Sequence, residues 1–220
     1  TPLKAAGPAA RTAWLALLAA LVLLPVAAGA WPYATVLASD LLVAALFAAS
    51  LHFLMGPAGL HSFGHAAYFG LGAYAAALLV RAAGLPMEAA LVLAPLVAAL
   101  GALVYGWFCV RLSGVSLTML TLAFAQITWA VCYQWDSLTG GSNGITGVWP
   151  TDWWAQGARF YWLTLTLVAL GVLLLRRVLL APLGYALRAG RDAPLRAEAI
   201  GIDVRRVQWI GFVLAGALAG

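Results

Sequence analysis

Runs of apolar residues, each near the length that crosses a bilayer, follow one another from Ala13 to the end of this 220-residue chain. Short charged or glycine-rich segments separate them. A helix rises 1.5 Å per residue, so about 20 such residues cross a hydrocarbon core roughly 30 Å thick. Spans are predicted near 13–30, 41–58, 62–80, 87–110, 115–134 and 160–180. A seventh begins near Val207 and is cut off at Gly220 within an apolar run, which reads as a truncated sequence. The expected fold is an all-α, polytopic transmembrane helical bundle of about six complete spans plus a truncated seventh, one domain over 1–220. A soluble domain is excluded: with 9% charged residues and a mean hydropathy of +0.97, no globular core of this size hides so much apolar surface. Lipid is therefore the chain's solvent, and ten Trp and seven Tyr suit anchoring at headgroup level.

Charge gives the spans a direction. Arg176, Arg177, Arg188, Arg191, Arg196, Arg205 and Arg206 fall in one stretch of a chain with twelve Lys and Arg in all. With the N-terminus cytoplasmic, Lys4, Arg11, Arg111 and those seven lie inside, and only Arg81 and Arg159 lie outside. The alternative is that the Gly- and Ala-rich segment 62–80 re-enters on one side, which would send the seven-arginine loop outside. The N-terminus, with Lys4, Arg11 and Ala28-Gly29-Ala30, superficially resembles a signal peptide, but 13–30 is longer than a typical h-region and more spans follow. The net charge of +5 is explained by this topology and not by nucleic-acid binding. Cys109 and Cys132 sit in apolar runs, where a thiol behaves as a small hydrophobe, and imply neither disulfide nor metal.

Few residues offer chemistry. His61 and His65 would share one face of a helix, but no carboxylate or cysteine completes a metal set, and polar packing at a helix junction is the preferred reading. Ser62 beside His65 suggests a nucleophile and base without an orienting third group, so no catalytic residue is assigned. Gly56, Gly59, Gly64, Gly70 and Gly72 allow close helix packing, or a broken helix whose backbone meets a polar solute. Gly59, Ser62, Gly64 and His65 are accordingly candidates for a translocation path or helix break. Ionisable groups within spans are nearly absent: Asp40 stands at the outer edge of the second, and Gln126 and Gln134 are the main amides of the fifth. That scarcity argues against a proton pump, an ion-coupled carrier or a voltage sensor. The outer connection from Asp136 to Arg159, with Trp149, Trp153 and Trp154, reads either as turns with an aromatic belt or as a docking surface for an extracytoplasmic partner.

Energy must come from elsewhere, since the chain has no GxxxxGK[ST] phosphate loop. The basic loop over 182–206 offers a way to receive work. Pro182 and Gly184 are expected to stop the sixth span, Tyr185 to Arg191 to form a short helix, and Pro194 to open another that Gly201 ends. The alternative is an ordinary solvated basic loop.

Three motifs carry a resemblance. Gly56-Pro57-Ala58-Gly59-Leu60-His61-Ser62-Phe63-Gly64-His65 and its continuation to Tyr74 form the first. Thr121-Leu122-Ala123-Phe124 with Leu138-Thr139-Gly140-Gly141-Ser142-Asn143-Gly144-Ile145 form the second. Pro182 to Ala189, Arg191-Asp192 and Ala197 to Ile202 form the third. In this order they resemble the permease subunits of branched-chain amino acid ABC transporters, and the outer Thr-Gly-Gly-Ser-Asn-Gly loop resembles the M-type. The resemblance implies a fold of the ABC importer permease type in the bacterial inner membrane, without cofactor or metal. The partners it implies are a second homologous permease, two cytoplasmic ATPase subunits and an extracytoplasmic solute-binding protein. It also implies that Arg188, Glu198, Ala199 and Gly201 lie where the ATPase grips, although the longer tail of the general importer loop motif is not recognisable here. A permease for urea or short-chain amides, a self-sufficient channel or carrier, and a membrane enzyme are the alternatives.

Overall fold

The structure is a computed structural model that describes residues 21–23, 32–148, 150–151, 153–154 and 157–220. Most of the expected first span at 13–30, with Lys4, Arg11 and the N-terminal orientation, lies outside the described residues, as does Trp149. The described residues form helices joined by turns, with no strand among them.

Helix α1 runs Pro32–Met55, where 41–58 was expected. Pro57 explains its end: proline lacks an N–H and disfavours helical backbone in the residue before it, so Gly56 cannot continue the helix. Asp40, expected at the edge of this span, lies exposed within it. The following span is shorter than expected at 62–80. Helix α2 starts at Ala66 and runs Ala66–Arg81, and residues 56–65 take an irregular path before it. Gly59 adopts φ 69°, a left-handed conformation that would strain any L side chain.

Helices α3 (Met87–Cys109), α4 (Gly114–Gln134) and α6 (Gly157–Leu180) follow, with the short α5 (Asp136–Thr139) and a 3₁₀ turn at Gly141–Asn143 between the last two. Then come α7 (Pro182–Asp192), α8 (Pro194–Ala199) and α9 (Val204–Ala219). By length and composition α1, α3, α4 and α6 suffice to cross a membrane, whereas α2 and α9 are shorter, at 16 residues each.

Small residues set the packing. Helix α3 buries Ala90, Ala94, Ala98, Ala102 and Gly106 at four-residue intervals, a stripe of one helix face. Against it α9 sets Phe212, Ala215, Gly216 and Ala219, and a Cβ on Gly216 would overlap that of Ala102. In lipid, where burying apolar surface between helices yields little, such close approach is a main source of association. On α1, Ala38 and Leu42 meet Tyr161 and Val168 of α6. Phe53, Leu54, Tyr68, Leu117, Leu187 and Phe212 form the main core, so α7 is joined to the spans through Leu187.

Two ends emerge. At one, residues 58–61, 110–114, 190–198 and 204–208 converge, with Arg111, Arg191 and Arg205 among them. At the other, the Thr151 hydroxyl donates to Glu88 Oε1 (2.6 Å), and Arg159 stacks over Trp153. Helix α2 leads from the segment at the first end to Arg81.

Candidate substrate path and coupling surface

Residues 56–65 form a hairpin-like segment that enters the bundle from the arginine-rich end. Leu60 N–H donates to the Leu54 carbonyl (3.1 Å), and Leu60 is buried in the core. Phe63 N–H donates to Thr121 Oγ1 of α4 (3.1 Å), whose hydroxyl in turn donates to the Thr118 carbonyl (2.8 Å). A Cβ on Gly64 would overlap the Thr121 carbonyl, so only glycine lets the segment lie this close to α4. Irregular backbone at membrane depth needs partners inside the protein, and these contacts supply them.

His65 closes the segment and is buried. Its Nε2 lies 2.9 Å from Ser50 Oγ of α1, and Ser50 donates its single hydroxyl proton to the Phe47 carbonyl (2.7 Å). The imidazole must therefore donate from Nε2, which leaves Nδ1 as an acceptor. That Nδ1 and the buried Ser62 Oγ have no hydrogen-bond partner among the described residues. Ser62 is not bonded to His65, so no nucleophile–base pair forms. His61 is exposed and neither histidine stands within a helix, so the four-residue spacing puts no shared face behind them. Ser50 was missed in the sequence reading, and its only signal was a hydroxyl directly after the apolar run 41–49.

The loop 182–206 folds as two short helices, each with proline in its first turn, where the missing N–H costs no helical bond. Gly201 follows α8 at φ 89°, the left-handed end expected of it. Gly184 differs from expectation. It does not stop α6 but lies inside α7, where a Cβ would overlap the Leu179 backbone, so it lets α7 turn tightly beneath α6.

The four residues expected to meet an ATPase have different surroundings. Arg188 turns inward: Nε donates to the Gly184 carbonyl (3.0 Å), Nη2 donates to the Leu179 carbonyl, and the guanidinium lies 4.7 Å from the Tyr185 ring centre. A cation there satisfies the Leu179 carbonyl, which the end of α6 leaves without a helical partner. Glu198, Ala199 and Gly201 are exposed, flanked by Leu195 (81% exposed) and Ile200 (76%).

Arg191 joins loop and hairpin. Its Nη1 donates to the Gly56 carbonyl (2.7 Å), its Nε donates to Asp192 Oδ1 (2.7 Å), and its aliphatic stem packs on Gly59. The hydrogen bond from Arg191 holds the Asp192 carboxyl below its usual pKa. The basic loop and the first glycine-rich motif, 135 residues apart in sequence, thus share a direct contact.

A bundle of span-length helices, a broken segment between two of them and an exposed pair of short helices at one end define a polytopic membrane protein. The sequence profile described as "Branched-chain amino acid transport system / permease component" matches residues 33–220, and the chain belongs to that family. It is 29% identical, over 91% of its length, to the high-affinity branched-chain amino acid transport system permease protein LivM of Escherichia coli (strain K12). It is 28% identical over the same share to the protein of that name from Salmonella typhimurium (strain LT2). The chain spans 55% of the length of each of these relatives. No solved structure matches it.

Proposed function

We propose that this chain is a membrane-spanning permease subunit of an ATP-driven importer for branched-chain amino acids. It lies in the bacterial inner membrane with its N-terminus cytoplasmic. A second homologous permease completes the path, two cytoplasmic ATPase subunits hydrolyse ATP, and an extracytoplasmic solute-binding protein delivers cargo. The cargo named for both relatives supports this reading. So does the gathering of positive charge at the end that bears α7 and α8, since cytoplasmic loops carry the excess of Lys and Arg.

The observation that carries the proposal is the exposed tip from Leu195 to Gly201. Two large apolar side chains stand out on a loop beyond the spans, with Glu198 between them, and no described residue covers them. Exposed apolar residues rimmed by charge mark a docking surface. Movement of that tip passes through α7 to Arg191, and from there to the hairpin that ends at His65.

Co-purification of the full permease with its cognate ATPases tests this. Glu198→Arg is expected to weaken the association by about ten-fold and abolish solute-stimulated hydrolysis, a charge reversal in a docked site costing 1.4 kcal/mol or more. An unchanged complex would remove α8 from the coupling surface.

A further inference from the structure

Helices α2 and α4 enclose between them a cleft of about 510 Å³ that no residue considered above as a site accounts for. One wall is the small-residue face of α2, with Ala66, Ala67 and Gly70. The other is a face of α4 bearing Gln126, Trp129 and Tyr133. Gly141 of the glycine-rich loop stands at one end and Phe63 of the hairpin, 65% exposed, at the other.

Helix α4 is the least apolar of the four helices long enough to cross a membrane, and also the least covered by the rest of the chain. An exposed amide near the middle of such a helix does not suit lipid tails, which offer it no hydrogen bond. Gln126 therefore faces something polar. The volume falls within the roughly 300–1,000 Å³ usual for small-molecule sites. Among the described residues no Asp, Glu, Lys, Arg or His lines the cleft, so a solute of net charge would meet no counter-charge from them. Its walls are mostly alkyl and aromatic, with an amide and hydroxyls as the polar exceptions.

We propose that this cleft is the solute site of the permease, built for a small, net-neutral solute with an apolar side chain, a class that includes zwitterionic aliphatic amino acids. Gln126 holds the polar head, Trp129 and the α2 face receive the side chain, and Phe63 forms the floor. In the assembled importer the second permease walls the open side. The inference rests on the importer reading and adds its binding site. It also gives the Arg191 contact a target, because Phe63 belongs to the segment that Arg191 clasps at Gly56 and Gly59.

Gly70 provides the test, since a Cβ added there meets nothing within 4 Å and a longer side chain projects into the cleft. Uptake of radiolabelled leucine, urea and acetamide is measured for the full permease reconstituted with its second permease, ATPases and binding protein. Gly70→Leu is expected to lower uptake of the transported solute about ten-fold, with the assembled complex intact. Gln126→Leu is expected to raise the half-saturating solute concentration, and arginine and glutamate are expected not to compete. Uptake by Gly70→Leu within two-fold of wild type (roughly 0.4 kcal/mol by the tenfold rule) would overturn the proposal. So would loss of the second permease from the complex, which would make the cleft a protein interface. A wild-type complex that moves urea or acetamide but not leucine would refute the cargo assigned under the importer reading. Gly70→Leu would then be judged on the solute that is moved.

Discussion

Arg191 meets Gly59 across a gap that no other residue at position 59 would leave open. The arginine stem occupies the space a Cβ would need, and the left-handed backbone there excludes L side chains on its own account. Gly59→Ala is therefore expected to displace Arg191 and raise the free energy of the hairpin by about 1 kcal/mol or more. Arg191→Ala leaves the glycine in place and removes the hydrogen bond to the Gly56 carbonyl. Its expected result is separation of the two activities: ATP hydrolysis retained, with transport per ATP reduced about ten-fold, the effect of a little over 1 kcal/mol in the transmitted contact. Measuring both in proteoliposomes decides it, and a proportional fall in both would assign Arg191 a purely structural role. Asp192 steadies the guanidinium. Its pKa is depressed in the fold, so its contribution is fully present above the ordinary carboxylate value of about 3.9 and is lost as pH falls through the lower, folded value. Coupling through Arg191 is accordingly expected to be flat across neutral pH.

Elements in this chain are held by shape more than by polarity. The α3 alanine stripe and α9 approach closely because Ala102 and Ala98 face Gly216 and Gly220, where a Cβ would overlap their methyl groups. Gly216→Leu is expected to force α9 off α3, at a cost of about 1–3 kcal/mol for overpacking. A lower thermal unfolding midpoint of the detergent-solubilised permease checks this, and an unchanged midpoint would show that α9 is only loosely seated. Helix α4 contrasts with α9, since it packs lightly within the chain and exposes Gln126, Trp129 and Tyr133. Its surface is suited to solute and to a second permease in a way that the α3–α9 contact is not. The two short helices of the basic loop were legible beforehand, because Pro182, Pro194 and Gly201 are local signals that act on their own backbone. Gly184 was misread for the same reason: its role comes from the Leu179 backbone pressed against it, a neighbour set by how the chain turns.

At the scale of the molecule, Arg111 and the basic residues of the loop gather at one end and Arg81 and Arg159 stand at the other, and the described helices run between. Thiol labelling of a cysteine placed at Ala199 in intact cells is expected to fail, and to succeed once the membrane is opened. Labelling from the exterior would invert the topology and end the importer reading. The four span-length helices, their order and the site of the basic loop follow from composition over windows of about 20 residues, since transfer into lipid depends on the sum of side-chain free energies along a segment. Tertiary structure decided the rest. Ser50 beside His65, Arg191 on Gly56, and the cleft shared by Gly70 and Gln126 join residues far apart in sequence. Which faces of two helices meet depends on the close fit of small side chains between them, and no single segment contains that information.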